Sequence, residues 1–205
     1  MEKIYTFISV PKEPEKFLRD LEARRNDITS RLNVFFVPWK KEFFGIENEL
    51  TIHIKYTTGE ILVSGPDEDK CKEKIRFIQD TLSEIYSLHL SYEEPELLKV
   101  EYRRDAKANI QKIVYPGIME IIKRNISPNY DIKDISFVFT GERPEKNLSI
   151  SFKRIGYIRG KEDVPLHIVI AAPSLDICEI IWESLMKKIS IKPIEMGVND
   201  DARKR

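Results

Sequence analysis

The chain of 205 residues has few of the residue types from which metal sites and active sites are usually built, with two cysteines and three histidines. His53 and His167 alternate with isoleucine on predicted strands, which favours a structural role for each. No Cys/His spacing typical of a metal site occurs, and there is no Walker loop, dinucleotide-binding glycine pattern or nucleophile elbow. The sequence therefore predicts a protein that is not an enzyme and that uses no metal or other cofactor.

Long apolar runs are also missing. No stretch reaches the roughly 18 apolar residues of a membrane helix, and the N-terminus lacks the basic-then-apolar pattern of a secretion signal. Cys71 and Cys178 stand at equivalent places in two similar segments, so we expect no disulfide between them. These features predict no membrane partner and a cytoplasmic or nuclear location.

Positive and negative side chains balance at 34 each over the chain, but not within its halves. Residues 1–96 hold 14 Lys/Arg against 19 Asp/Glu, whereas residues 97–205 hold 20 against 15. Opposite net charges indicate an interface between the halves, or an acidic half that faces protein joined to a basic half that faces nucleic acid. Uneven but solvated surfaces are the remaining interpretation.

The second half of the chain repeats the first. Residues 61–71 align with residues 168–178 at a constant spacing of 107, and residues 50–55 align with residues 148–153 at a spacing of 98. Each copy predicts a three- to four-stranded sheet with helices packed on one face. The predicted fold class is α+β, with two similar small domains at residues 1–92 and 97–195 and a disordered tail at residues 196–205.

Apolar periodicity places the elements of both copies. In the first copy it predicts strands at residues 4–10, 34–37, 50–56 and 60–64, one or two helices within 15–33, and a helix at 66–86. A turn at residues 57–59 joins the last two strands, where Gly59 supplies a positive φ. In the second copy it predicts strands at 98–102, 135–139, 148–153 and 166–171 and helices at 106–124 and 175–189. Residues 87–97 are the predicted linker.

This order of elements, ending in a strand, Gly65-Pro66 and an amphipathic helix, resembles a KH domain of the eukaryotic type. The residues that carry the resemblance are 8–11 in the opening strand, 59–69 at the closing strand and helix, and 159–170 in the second copy. Two other small α+β arrangements stay open: a tandem similar to the TATA-binding protein and a unit similar to double-stranded-RNA-binding domains.

The KH family binds the nucleotide backbone through a Gly-x-x-Gly loop, because glycine lets main-chain N–H groups approach phosphates. The equivalent segments, residues 21–28 and 114–121, lack this pair of glycines. Glu22 would oppose a phosphate, and Tyr115 and Ile118 are bulky. The resemblance to divergent KH domains without the loop implies protein contact or assembly of a ribonucleoprotein.

A basic stretch of the second copy is the candidate for RNA contact, because basic strands bind phosphates and aromatic rings stack on bases. It comprises Arg143, Lys146, Phe152, Lys153, Arg154, Tyr157, Arg159 and Lys161. Arg24 and Arg25 of the first copy are further candidates for phosphate contact. The alternative interpretation is a hairpin with solvated lysines and one core aromatic residue, and a solvated helix face for the two arginines.

Five aromatic residues within ten positions form a candidate surface for a protein partner: Phe35, Phe36, Trp39, Phe43 and Phe44. Strand alternation buries only about half of such a set. Some of Trp39, Phe43 and Phe44 are therefore expected on an exposed loop. Folding of these rings under the loop, as a small satellite core, is the alternative.

Three functions are compatible with the sequence. The first is a non-catalytic protein of RNA metabolism that binds single-stranded RNA through the second copy and a protein partner in a ribonucleoprotein complex. The second is an adaptor between proteins whose KH-like units have lost nucleic-acid binding. The third is a pseudo-symmetric saddle that binds duplex DNA or RNA. It predicts that the two sheets merge into one surface, whereas tandem KH units keep separate sheets.

Overall fold

A computed structural model describes residues 2–15, 23–87, 89–109, 134–139, 148–155, 163–189 and 191–194. Within these ranges the chain is α+β, as the sequence predicts, with α-helices packed on an antiparallel sheet. The first half contributes β1 (Glu2–Ser9), α1 (Arg25–Leu32), β2 (Phe35–Val37), β3 (Glu42–Glu47), β4 (Leu50–Lys55), β5 (Ile61–Gly65) and α2 (Glu68–Tyr86). The second half contributes β6 (Glu96–Asn109), β7 (Asp134–Phe139), β8 (Leu148–Arg154), β9 (Asp163–Ala172), α3 (Leu175–Ile189) and β10 (Lys192–Pro193).

The described strands of both halves form one ten-stranded sheet, in the order β2-β3-β4-β5-β1-β6-β9-β8-β7 with β10 paired to β6. Because β1 and β6 adjoin, the sheet of the first half continues into that of the second. The described strands therefore do not form the separate sheets that tandem KH domains would keep, and one merged sheet is what the saddle interpretation predicts. The division into separate domains at residues 1–92 and 97–195 stays a prediction.

A pseudo-twofold axis passes between Tyr5 and Val100. Tyr5 pairs with Gly65, and Val100 pairs with Ala172, which lies 107 positions after Gly65 as in the sequence repeat. Tyr5 and Val100 are therefore equivalent residues, and they pair with each other across β1 and β6. An antiparallel pair in which a residue faces its own equivalent has local twofold symmetry.

The segments that follow α2 and α3 obey the same symmetry. Pro11, two residues after β1, bridges to Tyr92, and Ala106 in β6 pairs with Pro193 of β10. Pro11 and Ala106 are 95 residues apart, the same spacing that separates Tyr5 from Val100. The described parts of the two halves therefore share one arrangement, from the first strand to the segment that returns to that strand.

The two cysteines also occupy equivalent positions. The Cys71 thiol contacts the Tyr5 carbonyl oxygen at 3.9 Å, and the Cys178 thiol donates to the Val100 carbonyl oxygen at 3.5 Å. Both thiols are free and fully buried, and burial raises the pKa of each to about 11. They are therefore protonated at neutral pH and act as small core residues.

The core of the first half lies between the sheet and α2. Asp67 caps the helix because its Oδ1 accepts hydrogen bonds from the N–H groups of Asp69 and Lys70 at 3.0 and 3.1 Å. One face of α2 is buried against β1 and β5, including Ile75 and Ile78. Each such side chain contributes about 1.5–3 kcal/mol on burial, so this helix is fixed to one side of the sheet.

The core of the second half lies under α3, where Trp182 packs with Tyr102 and Ile168. Tyr5 and Leu97 pack against both cores. The two apolar clusters therefore adjoin at the pseudo-twofold axis, on the helix-covered side of the sheet.

Two secondary-structure predictions are wrong. Residues 106–109, predicted to begin a helix, continue β6, because Ala106 and Ala108 are buried between exposed or half-buried neighbours and pair with β9. Strand β3 is unexpected and occupies part of the predicted loop. The turn at Gly59 is confirmed, with φ of 72°, and α3 spans the predicted residues. The rest of the predicted helix 106–124, residues 110–124, and the predicted tail 196–205 lie outside the described residues.

Candidate nucleic-acid interface

The sheet has one face that helices cover and one face on which no described helix packs. Side chains alternate along each strand. On β1, Phe7 belongs to the core and the Ser9 hydroxyl accepts a hydrogen bond from Gln79 of α2 at 2.7 Å. Ile4 and Ile8 point to the opposite side, where they are half-buried. We call this opposite side the open face.

The strand register extends the open face across the sheet, because paired residues share a face. Its described side chains are Phe35, Val37, Glu42, Phe44, Ile46, Thr51, His53, Lys55, Leu62 and Ser64, then Glu2, Ile4, Thr6 and Ile8, then Lys99, Glu101, Arg103, Asp105 and Lys107, and finally Ser149, Ser151, Lys153, Pro165, His167, Val169 and Ala171. Strands from both halves thus supply one continuous surface.

Beside the pseudo-twofold axis, much of the open face is apolar or small. Ile4, Ile8 and Leu62 lie on the side of the first half, and Val169 and Ala171 lie on the side of the second. Between them the hydroxyl groups of Thr6 and Ser64 hydrogen-bond to each other at 2.9 Å. Thr6 and Ala171 are themselves buried, so this region offers a ligand van der Waals contact with the half-buried apolar side chains and the Ser64 hydroxyl.

Three charged residues of β6 form a central ion cluster, which we define as Lys99, Glu101 and Arg103. Lys99 Nζ donates to Glu101 Oε1 at 2.7 Å, and Arg103 donates to Glu101 Oε2 at 2.6 Å from Nη2 and 3.2 Å from Nε. Burial alone would raise the pKa of the Glu101 carboxyl, but the hydrogen bonds from Lys99 and Arg103 outweigh it and hold the pKa below its ordinary value. Glu101 is therefore ionised at neutral pH.

The depressed pKa of Glu101 predicts a contribution to acid sensitivity. Its stabilising effect is fully present above the ordinary carboxyl pKa of 4.5 and is lost as pH falls through the lower folded value. Glu101→Gln is expected to be less stable than the native chain at neutral pH and to lose less stability below about pH 4.5. Urea unfolding across this range measures both effects, with the exposed α3 residue Glu183→Gln as control. Equal acid sensitivity of the native chain and Glu101→Gln would contradict the prediction.

Each half also places a histidine beside a carboxylate on the open face. His167 Nδ1 lies 2.7 Å from Asp105 Oδ1, and His53 Nδ1 lies 3.4 Å from Glu42 Oε2. The His53 ring also packs against the ring of Phe44, with centroids 5.1 Å apart. These contacts agree with the structural roles predicted for both histidines.

Of the predicted RNA-binding residues, Lys153 lies exposed on the open face, paired in register with His167. Phe152 points to the helix-covered side and is 2% exposed, so its prediction as a stacking platform is corrected to a core residue by strand alternation. Arg154 ends β8, and its side chain lies outside what the structure describes. The other members of the stretch also lie outside the described residues: Arg143, Lys146, Tyr157, Arg159 and Lys161.

The predicted phosphate contacts of the first copy lie elsewhere. Arg24 precedes α1 and Arg25 begins it. The Arg25 guanidinium stands 5.4 Å from the centroid of the Phe36 ring, and Phe36 packs on the helix-covered side. The structure therefore does not bring Arg25 and Lys153 to one face.

The five predicted partner-binding aromatic residues are divided between the two faces. Phe35 in the outer strand β2 is 70% exposed, and Trp39 in the 3₁₀ helix Pro38–Lys40 is 83% exposed. Phe43 is fully buried, and its ring centroid lies 5.3 Å from that of Phe36. Phe44 lies half-buried on the open face. Of the three residues among which exposed loop positions were expected, Trp39 is exposed outside the strands, whereas Phe43 and Phe44 lie in β3.

Sequence reasoning missed the central ion cluster as a unit. Residues 99–105 alternate charged with apolar side chains except at Arg104. This alternation was the available signal for a strand with one charged face. Its position beside the pseudo-twofold axis follows from the pairing of β6 with β1, which no local pattern specifies.

Within the described ranges, no helix is long and apolar enough to cross a membrane. The same residues contain no group of three or more His, Cys, Asp or Glu side chains arranged to hold a metal ion. In comparisons with known proteins, no family model matches the chain and no curated sequence matches it significantly. The functional argument therefore depends on the geometry and chemistry of the open face.

Proposed function

We propose that this protein is a non-catalytic DNA-binding protein that holds a double helix on the open face of its sheet. The observation that carries the proposal is the merged sheet, with Tyr5 and Val100 facing each other at its centre. The two backbones of a double helix are themselves related by twofold axes, and a protein with matching symmetry makes like contacts to both strands. Two separate sheets would not supply such a surface.

The width of the sheet supports a ligand of this size. Nine strands lie side by side, and a spacing of about 4.8 Å gives a width of roughly 38 Å. One turn of B-form DNA is about 34 Å long. The open face therefore matches about one turn of a double helix.

Two lysines stand in equivalent positions on the open face, as contact with two phosphate backbones requires. Lys55 in β4 and Lys153 in β8 are 98 residues apart, the spacing of these strands in the repeat. Each lies two strands outward from the strand of its half that borders the pseudo-twofold axis, β1 or β6. Basic side chains of this kind bind phosphates and fix the orientation of a duplex. Lys55 Nζ lies 2.7 Å from Glu60 Oε2, so a phosphate at this lysine competes with that carboxylate.

The apolar centre of the open face favours the minor groove of A·T-rich DNA. Ile4, Ile8 and Val169 provide van der Waals surface, and the half-buried Ser64 hydroxyl is a hydrogen-bonding group for the acceptor atoms of A·T pairs, whereas Thr6 beneath it is 4% exposed. A G·C pair adds an amino group that an apolar surface would leave unpaired. RNA displays 2′-hydroxyls in its minor groove, and these also need polar partners.

The proposal stays within the nucleic-acid class expected from the sequence but changes the ligand from single-stranded RNA to duplex DNA. Binding of single-stranded RNA and the adaptor function stay predictions. Their supporting residues in the described part of the chain are Lys153 for RNA and the exposed rings of Phe35 and Trp39 for a protein partner.

Fluorescence anisotropy tests the proposal with labelled A·T-rich DNA, G·C-rich DNA, duplex RNA and single-stranded RNA, each at about 50 and 200 mM salt. We expect the tightest binding for A·T-rich DNA, with an affinity that falls steeply as salt rises. Preference for single-stranded RNA would overturn the proposal in favour of the first interpretation. Failure to bind any nucleic acid at low salt would overturn it in favour of the adaptor.

A pair of glutamate variants locates the binding surface. Leu62→Glu places a carboxylate in the apolar centre of the open face and is expected to weaken DNA binding at least ~30-fold, because it opposes phosphates and is desolvated on contact. Ile180→Glu makes the same change at a residue of α3 that is 64% exposed, and should alter affinity less than ~3-fold. Thermal unfolding verifies that both variants fold. Equal losses of affinity would contradict the assignment of the surface.

A further inference from the structure

We infer that Glu101 limits the DNA affinity of the open face because its carboxylate binds Lys99 and Arg103. A phosphate must compete with this carboxylate for either cation. This inference rests on the proposed function. It makes Glu101 a residue that determines how strongly the surface favours groove contact over unspecific attraction to the backbone.

The geometry of the central ion cluster supports this role. The Glu101 side chain is 17% exposed, whereas those of Lys99 and Arg103 are each 36% exposed. The carboxylate thus lies deeper than the two cations it binds. Arg103 has a second carboxylate nearby, that of Glu2, at 3.9 Å. Both cations are therefore within reach of solvent while their charge is locally neutralised.

The cluster also breaks the symmetry of the surface at its centre. The positions equivalent to Lys99, Glu101 and Arg103 lie 95 residues earlier and are occupied by Ile4, Thr6 and Ile8. The first half therefore contacts a ligand at its centre without charge, whereas the second half presents three charged groups. The shared fold does not require these charges, since the equivalent strand is built without them.

Neutralised cations contribute little to unspecific DNA binding. Such binding gains free energy when phosphates bound by Lys or Arg release their counterions. A phosphate that approaches Lys99 or Arg103 must first replace a charge-assisted hydrogen bond to Glu101. Binding then depends more on groove contacts of Ile4, Val169 and their neighbours, which are sensitive to sequence.

The test compares Glu101→Gln with Asp105→Asn for binding to A·T-rich and G·C-rich DNA across a salt series. Asp105 lies on the same strand and face and contacts His167, so its substitution removes the same charge without releasing Lys99 or Arg103. We expect Glu101→Gln to tighten binding to G·C-rich DNA about tenfold and to steepen the slope of log affinity against log salt by roughly one to two. Asp105→Asn removes a carboxylate from the same face and should tighten binding by less than ~3-fold, with a smaller change of slope than Glu101→Gln, because it releases neither Lys99 nor Arg103.

A double variant, Glu101→Gln with Arg103→Gln, removes one released cation and should reverse much of the gain. Equal behaviour of Glu101→Gln and Asp105→Asn, or weaker binding by Glu101→Gln, would overturn the inference while leaving DNA binding by the native chain in place. Absence of DNA binding by the native chain and by all variants would instead overturn the proposed function. Thermal unfolding of each variant verifies its folding.

Discussion

Replacing Trp182 with alanine is expected to destabilise the chain by about 3–5 kcal/mol, because a large buried ring is removed. Trp182 is 5% exposed, its ring centroid lies 5.8 Å from that of Tyr102, and the Arg104 guanidinium stands 5.3 Å from its ring. We also expect both halves of the chain to lose stability together and to unfold in one transition.

The reason is the continuity of the sheet and the core. Strand β1 has β5 on one side and β6 on the other, and Tyr5 and Leu97 pack against both apolar clusters. If the second half unfolds, β1 loses its hydrogen-bonded neighbour and the first core is opened at one end. An exposed edge and an opened core cost free energy, which couples the halves.

Hydrogen exchange followed by mass spectrometry measures this coupling, because peptides from β1 and β5 report on the half to which Trp182 does not belong. We expect Trp182→Ala to reduce protection in those peptides and in β9 by a similar free energy. Ile180→Ala, an exposed neighbour on the same helix, should change stability by less than ~0.5 kcal/mol. Loss of protection confined to the second half would contradict the prediction and support separate domains.

Local patterns were enough to predict most of the elements. The repeat at a spacing of 107 identified β5 with α2 and β9 with α3 as equivalent units, because a buried strand and an amphipathic helix each have a strong sequence period. The error at residues 106–109 has the same origin. Ala106 and Lys107 favour a helix locally, but the neighbours of β6 on both sides supply strand hydrogen bonds there.

Local sequence patterns could not predict the candidate site. Its surface exists because β1 pairs with β6, a contact between residues far apart in the chain. The side that each residue faces then follows from strand register, and a shift of one residue exchanges the faces. Phe152 shows the consequence: a ring interleaved with basic residues in sequence belongs to the core, whereas its neighbour Lys153 lies on the open face. Charge composition predicted a basic second half but not the ion cluster that neutralises its centre.

A fragment of residues 1–93 is expected to form a homodimer through β1. Without β6, this strand would expose its unpaired backbone groups at the edge of the sheet, where another strand binds readily. The pseudo-twofold axis shows that the fitting strand is a second copy of β1, with Tyr5 facing Tyr5 in place of Val100. Such a pairing is isologous and closes after two copies. Light scattering on a sizing column should give twice the fragment's mass, and a folded monomer would contradict the prediction.

The substitution Tyr5→Lys tests the strand register of this fragment dimer. In the fragment the substitution occurs twice on the axis, so two lysines would face each other, and like charges directly opposite each other destabilise a strand pair. In the full chain a single lysine would face Val100. We therefore expect Tyr5→Lys to weaken the fragment dimer at least ~100-fold, through repulsion and the desolvation of two ammonium groups, while the full chain still folds. An unchanged dimer would show that the fragment pairs in another register. A dimer dissociated by this change would mean that the first half alone carries the information for the centre of the merged sheet, with β6 occupying the place of a second copy.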